Sequence, residues 1–97
     1  MFGMFGGNAR ICGQDARMKI AEGAVLVDVR SPGEFGGGHI EGALNIPVGA
    51  LGGRLHELQV EREIVVYCAS GMRSNSAARG LRAQGFTVHD LGSIRSW

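Results

Sequence analysis

The stretch Ile64-Val65-Val66-Tyr67-Cys68-Ala69-Ser70-Gly71-Met72-Arg73-Ser74 constrains the fold most, because an apolar run stops abruptly at a cysteine and gives way to small residues. β-Branched and aromatic side chains favour a pleated, buried backbone, so residues 64–67 read as a core strand with Cys68 at its carboxyl end. Ser74 or Asn75 can cap a helix, and Ala77, Ala78 and Leu81 then recur at helical spacing until Gly85 stops it. The loop thus lies between a strand end and a helix start, the crevice where open α/β sheets bind ligands. Successive backbone N–H groups at a helix start stabilise an anion, and a thiolate is one. Nearby Arg73 favours the same charged form, which is the nucleophilic form of cysteine. Gly71 can take φ > 0 and lets backbone approach a ligand closely. Taken alone, these residues fit equally a buried cysteine that ends a core strand before an ordinary turn.

The flanking sequence supplies partners for that strand. Residues 9–12 suit a short edge strand. Residues 14–21 place Ala16, Ile20 and Ala21 on one helical face, with Asp15 near the start and Gly23 after the end. Residues 24–27 form an apolar run ending at Asp28, a second buried strand. Ser31-Pro32-Gly33-Glu34-Phe35 has helix-entry chemistry that Gly36-Gly37-Gly38 ends after one turn. Residues 39–42 form a turn, and residues 43–46 a third strand stopped by Pro47. Leu51, Leu55 and Leu58 suit an amphipathic helix over residues 48–58. Residues 86–91 make the last strand, and residues 93–97 begin a final helix. Alternating strands and helices at these separations need crossovers, which gives an α/β chain with a small parallel five-stranded sheet flanked by helices on both faces.

Composition sets outer limits. At 97 residues the chain makes one domain, and 44% hydrophobic residues suit a folded core. Ten basic and nine acidic side chains leave a net charge of +1, which gives no reason to expect a nucleic acid or an acidic membrane as partner. Two cysteines make no disulfide framework and suit a reducing compartment. Residues 1–8 read as a flexible lead ahead of a single domain over residues 9–97. They lack the basic stretch and apolar core of a secretory signal, and no apolar run reaches membrane-spanning length, so a cytoplasmic location is expected.

Several landmarks occur in a familiar order: Asp28-Val29-Arg30, Glu34-Phe35, His39-Ile40-Glu41-Gly42-Ala43-Leu44-Asn45-Ile46-Pro47, and Val66-Tyr67-Cys68 with Gly71 and Arg73-Ser74. Gly85-Phe86, Leu91-Gly92 and Trp97 extend the series. The chain resembles the single-domain rhodanese (thiosulfate sulfurtransferase) family over nearly everything from Ala9 onward. The resemblance implies the parallel five-stranded fold and a sulfurtransferase that needs neither metal nor organic cofactor. Cys68 would be the catalytic nucleophile, taking a sulfane sulfur from thiosulfate or another donor. The resulting persulfide would pass to cyanide or a thiol acceptor, or to a protein sulfur carrier. Ala69, Ser70, Gly71, Met72 and Arg73 would form the substrate-binding loop, with their N–H groups stabilising the sulfur's charge. Asp28, Arg30 and Glu34 would support it.

Departures from the pattern matter too. Many relatives place Arg or Lys directly after the cysteine, where this chain has Ala69. A dianion such as thiosulfate loses attraction without that cation. Four residues separate Cys68 from Arg73, a loop one residue shorter than in cysteine phosphatases. Phosphatase or arsenate reductase chemistry is therefore a minor alternative, and a non-catalytic binding or sulfur-carrier docking module is the main one. Asp28 with Arg30 also suits an ion pair or turn cap, Glu34 a helix-start anion, and Arg73 a scaffold for the loop through Glu34. His39 suits backbone hydrogen bonding in its turn better than acid catalysis. Met72 reads as an apolar lip or an exposed loop residue, and Arg79 and Arg82 as a solvated helix face. His56 and His89 have no metal-ligand spacing with either cysteine. Cys12 reads as a half-buried strand thiol or as a partner that resolves the Cys68 persulfide.

Overall fold

The computed structural model describes residues 10–97, so the expected lead over residues 1–8 and Ala9 lie outside the described residues. The elements run in the order α1 (Gly13–Ala21), β1 (Val25–Asp28), α2 (Pro32–Gly36), β2 (Leu44–Asn45), β3 (Ile64–Cys68), α3 (Met72–Ala83) and β4 (Val88–Ser93). Short 3-10 turns at Val48–Gly53, Leu55–Glu57 and Ile94–Ser96 complete the chain.

Every strand pair is parallel, in the order β2-β1-β3-β4. Among the described residues the sheet therefore has four strands, one fewer than the sequence suggested. The missing strand is the expected edge over residues 9–12. Arg10 makes a single parallel bridge to Asp90, and the Ile11 amide donates to the Asp90 carbonyl at 3.0 Å. The ladder ends there because Cys12 already caps α1, its Sγ accepting the Asp15 amide at 3.5 Å. Cys12 is accordingly an exposed helix cap and not a half-buried strand residue.

Alternation along the buried strands divides the core into two layers. Val27, Val29, Ile64, Val66 and Cys68 face α3 and the first two 3-10 turns, together with Ala77, Ala78 and Leu81 of α3. Leu26, Val65, Tyr67 and Leu91 face the other way, against Ala16 of α1, Ile40 and Trp97. Each such aliphatic side chain removed from water contributes about 1.5–3 kcal/mol, so β3, buried at all five positions, anchors the sheet.

Three further corrections concern helices. Residues 48–58 form two 3-10 segments and not one amphipathic α-helix. Leucines three and four apart also bury in 3-10 turns, and Gly49, Gly52 and Gly53 weaken a continuous α-helix by about 1 kcal/mol each. The α3 helix starts at Met72, ahead of the expected Ser74 or Asn75 cap, because Gly71 at φ 105° supplies the cap without a side chain. The chain's last residues form only the short 3-10 turn at Ile94–Ser96.

The sheet order also locates the crevice. The chain leaves β1 for β2 on one side and returns to β3 on the other, so the carboxyl ends of β1 and β3 flank a topological switch point. The β4 edge carries a bulge: Val66 pairs with Asp90 but Tyr67 with Gly92, leaving Leu91 as the extra residue, and Gly92 takes φ 84°. That extra residue brings Ser93 opposite Cys68.

Candidate active site

Cys68 closes β3 on the α3 face, and the first turn of α3 wraps its sulfur. The Gly71 amide donates to Sγ at 2.9 Å and the Ser74 amide at 3.3 Å. Burial pushes the thiol's pKa up. The Ser74 amide and hydroxyl and the Gly71 and Ser70 amides more than offset that, so the value falls below the usual cysteine range. The residue is 0% exposed and packs with the core on the α3 side, so the sulfur is both ringed by amides and buried, as the strand-end alternative in the sequence had it.

The loop is held at both ends. Ser93 Oγ donates to the Ala69 carbonyl at 2.8 Å. Ser74 Oγ stands 3.1 Å from the Gly71 carbonyl and 3.5 Å from the Gly92 carbonyl, and its one proton serves one of these or the Cys68 sulfur at a time. Met72 projects outward with 80% exposure, beside an exposed Ser70. Among the loop residues expected to line the cradle, Gly71 bonds the sulfur directly and Ala69 turns its carbonyl to Ser93. Ser74, noted in the sequence as a possible cap and a landmark of the resemblance but not as a group on the sulfur, is the second amide there.

Arg73 turns toward α2. Its Nη1 and Nη2 donate to Glu34 Oε1 and Oε2 at 2.7 and 3.0 Å. Glu34 also closes a capping box, accepting from the Ser31 amide at 3.0 Å while the Glu34 amide donates to Ser31 Oγ at 3.2 Å. The Arg73 guanidinium first, and the Ser31 amide second, hold the Glu34 carboxyl down at about 2. Arg73 thus ties α3 to α2, in the scaffolding role.

Asp28 and Arg30 form a buried pair at the end of β1. Arg30 Nε meets Asp28 Oδ1 and Oδ2 at 3.0 and 3.1 Å, Nη2 meets Oδ2 at 2.7 Å, and the Arg30 amide donates to Oδ1 at 2.9 Å. Burial pushes the Asp28 carboxyl up, but the Arg30 and Tyr67 hydrogen bonds more than offset it and leave it below the usual aspartate range. Arg30 Nη2 also donates to the Gly38 carbonyl at 2.8 Å, and the guanidinium stacks over the Tyr67 ring. The pair braces the loop after β1 and leaves Arg30 little freedom to reach a ligand.

His39 stacks on Phe35 with ring centroids 3.7 Å apart and bonds the Phe35 carbonyl through Nδ1 at 2.9 Å. Arg82 is half-buried and not a solvated face residue, since Nη2 donates to the Val88 carbonyl at 2.7 Å. Among the described residues no three His, Cys, Asp or Glu side chains converge as metal ligands. A cavity of about 280 Å³ between the 3-10 turns and α3, lined by Val48, Leu51, Leu55, Ala77 and Leu81, excludes Cys68 and its loop.

Sequence reasoning missed one group at the cradle. Arg10 Nη2 donates to the Gly71 carbonyl at 2.9 Å, and its Nε lies 3.6 Å from Asp90 Oδ2. An isolated cation ahead of the first helix carries no spacing signal; only the pairing of residue 10 with β4 brings it there.

A parallel sheet with a cysteine thiol held by amides at a strand-to-helix turn defines a small α/β domain built around one sulfur. The family description for a rhodanese-like domain matches residues 14–97, and the chain belongs to that family. It is 43% identical over 76 residues to the uncharacterized protein YqhL of Bacillus subtilis, covering 76% of this chain and 60% of that one. The chain therefore spans under two thirds of YqhL. A sulfurtransferase of Allochromatium vinosum is 36% identical over 83 residues, covering 84% of this chain and 78% of that one. The thiosulfate sulfurtransferase GlpE of Ectopseudomonas mendocina is 36% identical over 90 residues, covering 91% and 83%. Among solved structures, reduced Bacillus anthracis CoADR-RHD superposes with a TM-score of 0.84 at 33% identity, covering 94% of this chain and 16% of that one. The human single-domain sulfurtransferase TSTD1 gives 0.71 at 33% identity, covering 91% and 93%. Among the described residues no helix is long and apolar enough to cross a membrane.

Proposed function

We propose that the protein is a sulfurtransferase working through a persulfide on Cys68. The observation that carries the reading is the pair of backbone amides, Gly71 and Ser74, directed at a sulfur whose thiolate form they favour. In the first half-reaction the Cys68 thiolate attacks the outer sulfur of thiosulfate, the sulfur–sulfur bond of the donor breaks, and sulfite leaves with the electron pair. In the second, an acceptor thiolate or cyanide attacks the terminal persulfide sulfur and Cys68 departs as a thiolate. Charge rests on sulfur near the amides in both halves, so the same donors serve twice.

The donor follows from charge. Ala69 supplies no cation beside the nucleophile, and Arg73 is neutralised by Glu34. Thiosulfate is therefore a slow donor here, and a singly charged persulfide, small or carried on a protein, is the better one. The pairing of Arg73 also disfavours phosphate or arsenate chemistry, which needs a guanidinium turned into the loop. The non-catalytic docking module keeps one observation in its favour, the complete burial of Cys68. Two free cysteines suit a reducing cytoplasm.

The test is mass spectrometry after incubation with thiosulfate or with a low-molecular-weight persulfide. One added sulfur on Cys68, absent in Cys68→Ser and retained in Cys12→Ser, supports transfer. No added sulfur with either donor leaves the docking module, and sulfur on Cys12 alone refutes the site.

A further inference from the structure

The carbonyl of Gly71 is an unusual junction. It accepts from Ser74 Oγ at 3.1 Å, from the Asn75 amide at 3.1 Å and from Arg10 Nη2 at 2.9 Å. The first two donors belong to α3 and move with it. Arg10 alone among these three donors ties Gly71 to a different part of the fold.

The Arg10 side chain lies flat against two glycines. A Cβ on Gly71 would stand 2.4 Å from Nη2, and a Cβ on Gly92 would stand 3.0 Å from Cδ. Both glycines have positive φ, 105° and 84°, and lack the Cβ that would meet the guanidinium. Behind it sits Asp90, 1% exposed, whose Oδ1 accepts the Gly92 amide at 2.9 Å. Its Oδ2 has no hydrogen-bond partner among the described residues and faces Arg10 Nε at 3.6 Å. A buried carboxylate oxygen with one cation in front of it fixes where that cation rests.

We propose that Arg10 is a positioning residue for the sulfur cradle, clamping Gly71 from its carbonyl side so that its amide stays directed at Cys68 Sγ. The proposal rests on the reading of Cys68 as the sulfur-bearing nucleophile. Arg10 thereby becomes part of the reactive site, through the chain Asp90, Arg10, Gly71 and Cys68. Arg73, the cation of the same loop, is already paired with Glu34.

The experiment uses the full chain in a Cys12→Ser background. It follows the thiolate absorbance of Cys68 against pH, the hydrogen exchange of the Gly71 and Ser74 amides, and the rate of sulfur gain from a persulfide donor. Arg10→Met, which keeps length but removes the donor, is expected to raise the thiolate midpoint by about 0.5–1 pH unit. It should also speed exchange at Gly71 more than at Ser74 and slow sulfur gain severalfold. Arg10→Lys should recover part of each change. A midpoint within about 0.2 unit of the parent's overturns the proposal. So does a shifted midpoint with Gly71 and Ser74 exchange unchanged relative to each other, since that is the signature of a charge acting at a distance. If Arg10→Met alone does not fold, Arg10→Met with Asp90→Asn removes the stranded carboxylate, and the same outcomes decide. If the parent itself gains no sulfur, the transfer reading fails, while absorbance and exchange still decide the role of Arg10.

Discussion

Replacing Arg30 with methionine would test whether the Asp28–Arg30 pair braces the site or merely decorates it. Asp28 is 0% and Arg30 7% exposed, and three side-chain hydrogen bonds of 2.7–3.1 Å join them. Methionine fills much of the same volume but leaves a buried carboxylate facing an apolar chain. Removing one partner of a buried pair costs about 3–5 kcal/mol, against a total stability of roughly 5–15 kcal/mol for a domain of this size. At a urea m-value of about 1.5 kcal/mol/M, the unfolding midpoint should fall by roughly 2–3 M with m unchanged. Adding Asp28→Asn should restore a substantial part of the loss, because the uncompensated charge is then gone. The acid limb carries a second signature. Asp28 has a depressed folded-state value, so its stabilisation is complete above the ordinary 3.8 and is lost as pH falls through the lower folded value. Asp28→Asn should flatten the stability profile in that window. A loss below about 1 kcal/mol for Arg30→Met, or no recovery in the double variant, would refute the bracing role.

Three further perturbations probe the loop. Gly71→Ala places a Cβ at φ 105° and 2.4 Å from Arg10 Nη2, so it should destabilise the fold by at least about 1 kcal/mol in urea unfolding and slow persulfide formation. Ala69→Lys restores a cation beside the nucleophile; thiosulfate kcat/KM should rise relative to that of a persulfide donor, and the gain should fade with added salt. Glu34→Gln releases Arg73, so the KM for thiosulfate should fall at low ionic strength. Because the Glu34 carboxyl is held at about 2, its pairing is lost only as pH falls through that value, and stability in near-neutral assays should not depend on its titration.

The placement of Cys68 was legible because a β-branched run ending at a small-residue loop has few other solutions. The one-turn helix at Ser31 was legible from its helix-entry chemistry, and the pairing of Arg73 with Glu34 was among the readings left open there. Other features depended on tertiary context. The start of α3 shifted because a left-handed glycine caps a helix without the side chain that sequence patterns look for. Residues 48–58 defeated periodicity, since leucine spacing does not separate α from 3-10 turns when glycines interrupt. The fifth strand failed because one bridge at Arg10 cannot be told from a ladder until Cys12 is seen to open α1. The Leu91 bulge and the burial of Asp90 left no local signature, and with them the contact of Arg10 with the cradle stayed hidden.

The enclosure of Cys68 bears on how the molecule meets oxidants. Peroxide consumes thiols according to access among other things, and the two cysteines differ in it: Cys12 is exposed, whereas Cys68 is buried. A reagent arriving from bulk meets the helix cap directly, whereas whatever reaches Cys68, sulfur donor or oxidant, has to pass the same first turn of α3.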